Sequence, residues 1–277
     1  MSEGGERLDR LLVARGLADS RARARRLVEA GAVTVDGRVE RRVAARIASA
    51  AAVAVTADPC PWVSRAALKL LHALDAFGLR PHGVALDLGA STGGFTEVLL
   101  ARGASEVHAI DVGHGQLHPR LRADPRVVLH EGLNVRDLRP GMVPVPDWIV
   151  ADLSFIGLTT ALPAALALAR PGTVLVALIK PQFEAGPGQV GRGGILRDGR
   201  IHAAVRARVA AFLRERGWRV THEGESPITG QDGNREFLIA AVAGARSASR
   251  PPAPALRAPG AEDRTGSGGE GHDGSVA

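Results

Sequence analysis

The chain has 277 residues, 45% of them hydrophobic, and a formal net charge of +6. That length has room for one large domain and one small one, and the modest positive balance points to a polyanionic partner. The longest apolar stretch, residues 158–179, is broken by Pro163, Arg170, Pro171 and Gly172, so no membrane span is expected. A lone Cys60 excludes an internal disulfide and any cysteine-clustered metal site, and no metal is expected. The polar start Met1-Ser-Glu-Gly-Gly-Glu-Arg7 lacks an apolar signal core, which predicts a cytoplasmic protein.

Lys and Arg total 35, yet only Lys69 and Lys180 are lysines. Arginine stays protonated at any working pH, whereas a lysine can lose its proton when desolvated or set beside another cation. In a chain that otherwise uses arginine, the two lysines are candidates for sites that need a deprotonatable amine.

Residues 6–56 read as a separate small α+β unit. Leu8, Leu11, Leu12 and Leu17 have helical spacing, closed at Gly16. Ser20 is placed to cap a helix from Arg21 to Ala30, which Gly31 ends. Short strands are predicted at 32–35 and 51–55, with Asp36-Gly37 as a hairpin turn. Residues 1–56 hold 11 Arg against 7 Asp and Glu, or +4 of the chain's +6. That density suggests nucleic-acid contact. The segments Arg7-Leu-Asp-Arg-Leu-Leu12, Ser20 to Gly31 and Val33-Thr-Val-Asp-Gly-Arg38 resemble the S4 RNA-binding domain. The resemblance implies that Arg7, Arg10, Arg21, Arg23, Arg25 and Arg26 hold structured RNA through phosphates and shape, with Arg65 added from the next unit.

Residues 57–63 form a short, proline-bearing linker. Ser64 is expected to cap a helix over 65–74 that carries Lys69. From Val84 onward strands and helices alternate, with strands predicted at 84–88, 106–111, 127–130, 148–152, 173–178, 218–223 and 236–243. This predicts an α/β domain over 64–243, a Rossmann-like, mainly parallel seven-stranded sheet covered on both faces. The last strand is expected to be antiparallel, because the loop before it is too short for a crossover helix. Residues 244–277 are rich in Pro, Gly, Ser and charge and are predicted to be a disordered tail.

The centre of this domain is Val84-Ala-Leu-Asp-Leu-Gly-Ala-Ser-Thr-Gly-Gly-Phe-Thr96, a strand, a glycine turn and a helix start. The spacing Asp-x-Gly-x-x-x-Gly-Gly is neither the dinucleotide fingerprint nor a P-loop, and no lysine follows to hold a triphosphate. A cofactor with a ribose and no phosphate chain is favoured, S-adenosyl-L-methionine being the common one. The candidate contacts are Asp87, Gly89, Ala90, Ser91, Thr92, Gly93, Gly94 and Phe95. Asp111 at the second strand end suits the ribose hydroxyls, with Val112 beside it as a further cofactor contact, and Asn134, Val135 and Asp137 after the third strand could frame adenine. Asp152, Lys180 and Glu236 border other strands. Each has a plainer reading too: Asp111 as a turn cap, Asp152 as a helix cap, Glu236 as a surface ion pair. Lys180 emerges from the most apolar strand and is hardest to explain without function.

Lys69, Asp152 in Ala-Asp-Leu-Ser-Phe155, Lys180 in Ile-Lys-Pro-Gln-Phe-Glu184 and Glu236 in Gly-Asn-Arg-Glu-Phe237 resemble the Lys–Asp–Lys–Glu tetrad of FtsJ-like RNA ribose 2′-O-methyltransferases. An S4 domain followed by this domain is the order of the TlyA family, also called haemolysin A, and the resemblance runs over residues 6–243. One departure is Ala66-Ala67, where the family more often has Gly-Gly. The resemblance implies methyl transfer from S-adenosyl-L-methionine to cytidine ribose in 16S rRNA, 23S rRNA or both. It implies ribosomal RNA or ribosomal subunits as partners, no membrane or DNA, and a monomer. Lys180, when neutral, would accept the hydroxyl proton. A neighbouring Lys69 would favour that neutral form, while Asp152 and Glu236 would orient the amine and oppose it. Competing readings are an RNA-binding protein with an inactive methyltransferase fold, a membrane-lytic haemolysin, and a dinucleotide-dependent oxidoreductase, the last disfavoured by the glycine spacing.

Overall fold

The computed structural model describes residues 5–57, 60–186, 188–230 and 232–245. The N-terminal elements are β1 (Glu6–Arg7), α1 (Leu8–Ala14), α2 (Arg21–Glu29), β2 (Val33–Val35), β3 (Arg38–Val39), β4 (Arg46–Ile47) and β5 (Val53–Val55). Leu8, Leu11 and Leu12 of α1 meet Leu27 and Val28 of α2 and Val33 of β2 in one apolar cluster. Ser20 caps α2 as expected, its side chain accepting the Arg23 N–H at 3.2 Å. Asp36 and Gly37 both take positive φ, 48° and 77°, which is the twist a two-residue hairpin between β2 and β3 requires. The pairing of β1 with β4 was not expected. Two residues a side are too few to show an alternation.

The second unit holds α3 (Ala66–Ala76), β6 (Gly83–Leu88), α4 (Gly94–Arg102), β7 (Ala104–Asp111), α5 (Pro119–Arg122), β8 (Val127–Glu131) and β9 (Trp148–Ala151). It continues through α6 (Leu158–Ala161), α7 (Pro163–Ala167), β10 (Val174–Ile179), α8 (Pro181–Glu184), α9 (Gly199–Glu215), β11 (Trp218–Glu225) and β12 (Phe237–Ala243). Seven strands form one sheet in the order β11-β12-β10-β9-β6-β7-β8. Only β12 runs against the others, paired antiparallel with both β10 and β11. The central strands are apolar on both sides because both faces are covered. Leu86, Ile149 and Leu175 point to the face packed by α6, α7 and α9, while their neighbours Ala85, Val150 and Val176 point to the face packed by α3 and α4. This alternation is the two-residue period of a strand.

One local expectation is corrected. Ser64 does not cap α3: the helix starts at Ala66 without a side-chain cap, and Ser64 contributes its carbonyl to the Ala67 N–H instead. Its hydroxyl leans on α4, where a Cβ at Gly94 would sit 2.3 Å from Ser64 Oγ. The tail predicted for 244–277 lies, beyond Ala245, outside the described residues.

Candidate active site

A cleft of about 1920 Å³ opens along the carboxyl ends of the parallel strands. Its floor begins at the glycine turn between β6 and α4. Gly89, at φ 83°, comes so close to β9's end that an added Cβ would lie 2.8 Å from the Asp152 carbonyl oxygen. Ser91 takes a left-handed φ of 47°, rare for a residue with a side chain, and donates its N–H to Asp111 Oδ2 at 2.8 Å. Asp111 Oδ1 accepts the Gly113 N–H at 2.7 Å. Asp111 therefore does cap its turn, and it lines the cleft as well. Each carboxylate oxygen keeps a further lone pair for a ligand.

Of the expected cofactor positions, Gly89, Ala90, Ser91, Thr92, Gly94, Phe95, Asp111, Val112, Asn134 and Val135 all border the cleft. Val112 is 62% exposed, an apolar side chain left facing solvent beside Asp111. Asn134 Oδ1 accepts the Arg136 N–H at 3.1 Å, which starts a short 3₁₀ turn.

Asp87 and Gly93 stand elsewhere. Asp87 is fully buried behind the turn. Its Oδ2 accepts the Thr96 hydroxyl at 2.6 Å, and Oδ1 has no hydrogen-bond partner among the described residues. Burial pushes this carboxyl up to about 7 against the pull of Thr96, and the charges of Asp152 and Asp111 push the same way. Asp87 thus braces the turn on α4 instead of touching the cleft. At Gly93 a Cβ would lie 2.3 Å from Leu121 Cδ1, so this glycine admits the α5 segment.

The four expected catalytic side chains converge. Asp152 follows β9, Lys180 follows β10, and Glu236 precedes β12, whose reversed direction brings its first residue to the same rim. Lys69 reaches in from α3. Lys180 Nζ lies 2.6 Å from Asp152 Oδ1 and donates to Ser154 Oγ at 2.8 Å. Lys69 Nζ lies 2.6 Å from Glu236 Oε2 and 3.8 Å from Asp152 Oδ2. Both lysines and Glu236 are buried. The two amines and two carboxyl groups form a row, Glu236–Lys69–Asp152–Lys180, at the cleft wall. Asp152 is thus no helix cap, and Glu236, 2% exposed, is no surface pair.

The expected RNA arginines divide. Arg7 and Arg21 both clamp the buried Asp9, Nε of Arg7 at 3.0 Å and Nη2 of Arg21 at 2.7 Å, which holds the Asp9 carboxyl well below the usual range. Arg23 pairs with Asp19 at 3.1 Å and Arg25 with Glu29 at 2.7 Å. Arg10, Arg26 and Arg65 have no ion-pair partner among the described residues, and Arg26 and Arg65 border the cleft. His118 Nε2 stands 3.3 Å from Asp19, and its own N–H donates to the Thr92 carbonyl of the glycine turn at 3.2 Å. One short segment thus touches both the first domain and the turn.

Two features escaped the sequence reading. Phe155 has φ 66° and is 91% exposed at the cleft, with its ring 5.3 Å from that of Phe183. Gln182 borders the same place. Phe155 lies three positions after Asp152 and could have been flagged as a large aromatic in the loop at a strand's carboxyl end.

Residues 62–243 match the FtsJ-like methyltransferase family, and residues 6–50 match the S4 domain. The chain is 47% identical over 236 residues to the 16S/23S rRNA (cytidine-2′-O)-methyltransferase TlyA of Mycobacterium tuberculosis, covering 84% of this chain and 88% of that one. It is 38% identical to Hemolysin A of Brachyspira hyodysenteriae, covering 84% of this chain and 98% of that protein. A solved structure from Streptococcus thermophilus that bears the haemolysin name superposes with a TM-score of 0.69 at 39% identity, over 88% of this chain and 90% of that one. With an S4 domain, an FtsJ-like domain and this degree of identity along most of its length, the chain belongs to the TlyA family.

Proposed function

We propose that this protein is an S-adenosyl-L-methionine-dependent 2′-O-methyltransferase acting on cytidine ribose in 16S rRNA, 23S rRNA or both. The observation that carries the reading is the row of four buried or half-buried ionisable side chains at the wall of a cleft that begins at the glycine turn. The cleft fits the cofactor. The glycine turn gives close backbone approach, Asp111 offers free lone pairs to a ribose diol, and exposed Val112 offers an apolar face to adenine. When bound, S-adenosyl-L-methionine supplies an electrophilic methyl on a sulfonium sulfur.

The chain's own residues handle the nucleophile. A ribose hydroxyl must lose its proton as its oxygen attacks, and Lys180 Nζ is the acceptor in this reading. The ammonium so formed is met at once by Asp152, 2.6 Å away. Lys69 is held by Glu236 and shares Asp152, which fixes the Asp152 carboxylate between the two amines. Phe155 and Phe183 offer a stacking surface for an unpaired base beside this row. Residues 6–56 serve as the RNA-capturing domain, 57–63 as the connector and 64–243 as the catalytic domain. The partner is ribosomal RNA or a ribosomal subunit, met by a monomer in the cytoplasm. No helix of the described residues is long and apolar enough to cross a membrane, which does not favour the haemolysin reading.

Lys180→Arg keeps a long basic side chain, but the guanidinium stays protonated and cannot accept the hydroxyl proton. It is expected to bind the cofactor normally and to transfer labelled methyl to rRNA ~10²–10⁴-fold more slowly. Near-normal turnover would remove Lys180 as the base.

A further inference from the structure

We infer that Gln182 determines the choice of base, its side-chain amide pairing with the Watson–Crick edge of the target cytosine. The inference rests on the methyltransferase reading above. Gln182 lies on α8, two residues after Lys180 and next to Phe183. It borders the cleft, and its Oε1 is buried with no hydrogen-bond partner among the described residues. Its neighbours are already engaged. Lys180 is bonded to Asp152 and Ser154, and Glu184 accepts the Leu158 N–H and meets Arg208. A buried amide oxygen left without a donor is costly, and the described residues supply none, so a ligand met as the side chain turns toward the cleft it borders is the natural source.

The position argues for the RNA base over the cofactor. Asp111 ends β7, Gln182 follows β10, and β6 and β9 lie between them. Three strand spacings separate the two, about 14 Å. The amide therefore belongs to the Lys180 end of the cleft, where the reacting ribose and its attached base must lie, beside the Phe155–Phe183 surface. Cytosine presents an amine donor at N4 and an acceptor at N3. A carboxamide offers the complementary acceptor and donor, Oε1 receiving from the amine and Nε2 donating to N3.

The test uses the full chain and ribosomal subunits reconstituted with rRNA carrying, at the methylated position, either cytidine or its analogue pyrimidin-2-one riboside, which lacks only the amine. Wild-type protein is expected to methylate cytidine about 10- to 100-fold faster in kcat/KM than the analogue. Gln182→Leu is expected to treat the two alike, and Gln182→Glu, which keeps the acceptor, to retain the preference for cytidine. Cofactor affinity equal to wild type verifies that the variants are folded. Equal rates for the two RNAs with wild-type protein, or a preference that survives Gln182→Leu, would overturn the inference alone. Absence of methyl transfer from wild-type protein to any rRNA would overturn the methyltransferase reading and this inference with it.

Discussion

Replacing Asp87 with asparagine takes one ionisable group out of the interior of the sheet while keeping its size and its acceptor for the Thr96 hydroxyl. In the folded chain burial keeps the Asp87 carboxyl protonated up to about 7, whereas an ordinary aspartate ionises near 3.8. Between those values the folded state holds a proton that the unfolded state has lost, so wild-type stability falls as pH rises through that interval and levels off above it. At ~1.4 kcal/mol per pH unit, the penalty grows to about 4 kcal/mol, of which roughly 3 kcal/mol accrues between pH 5 and pH 8. Urea unfolding of wild type and Asp87→Asn at those two pH values isolates this contribution, because the other titrating groups are common to both proteins. The variant should gain about 3 kcal/mol on wild type from the lower pH to the higher. Parallel stability profiles would refute the reasoning, since they would mean that Asp87 ionises alike in both states.

Gly89→Ala forces a side chain onto a φ of 83° and drives it against the Asp152 carbonyl, which lies 2.8 Å from the new Cβ position. The left-handed conformation alone costs ~1–2 kcal/mol, and displacement of Asp152 should slow methyl transfer about 100-fold at saturating cofactor. An unchanged saturating rate would show that the turn does not position Asp152. Arg10→Ala removes an exposed guanidinium with no ion-pair partner among the described residues and should lower the salt slope of rRNA binding by about 1. Arg25→Ala, whose guanidinium is already 2.7 Å from Glu29, should lower it less; filter-binding titrations across salt concentrations would detect equal effects as a contradiction.

The residues most legible in the sequence were those whose surroundings are local. The apolar runs at Leu86, Ile149 and Leu175 reveal a doubly covered sheet because every second residue finds a packed face. Lys69 and Lys180 stood out because this chain otherwise uses arginine. What the sequence hid depends on partners far along the chain. Arg25 and Glu29 are four apart on one helix and can be paired by inspection, but Arg21 and Asp9 meet only after α1 and α2 have packed. Asp87 belongs to the motif in the chain and to the interior in space, because Thr96 of the following helix turns back over it. Phe155 sits in a short loop after β9 and Gln182 in the four-residue helix α8, both too short for any periodicity to announce which way a side chain faces.

The reversal of β12 also orders events in time. A chain emerging from the ribosome supplies Lys69, Asp152 and Lys180 well before residues 236–243, and β12 is not an edge strand added at leisure but the piece inserted between β10 and β11. Until it arrives, β10 presents an open hydrogen-bonding edge and Lys69 lacks its 2.6 Å counter-ion. Closing the sheet and completing the charge row are one event, set by a long-range pairing that forms late. A nascent or truncated chain that ends before Glu236 holds three of the four side chains, so competence arrives only with the finished fold.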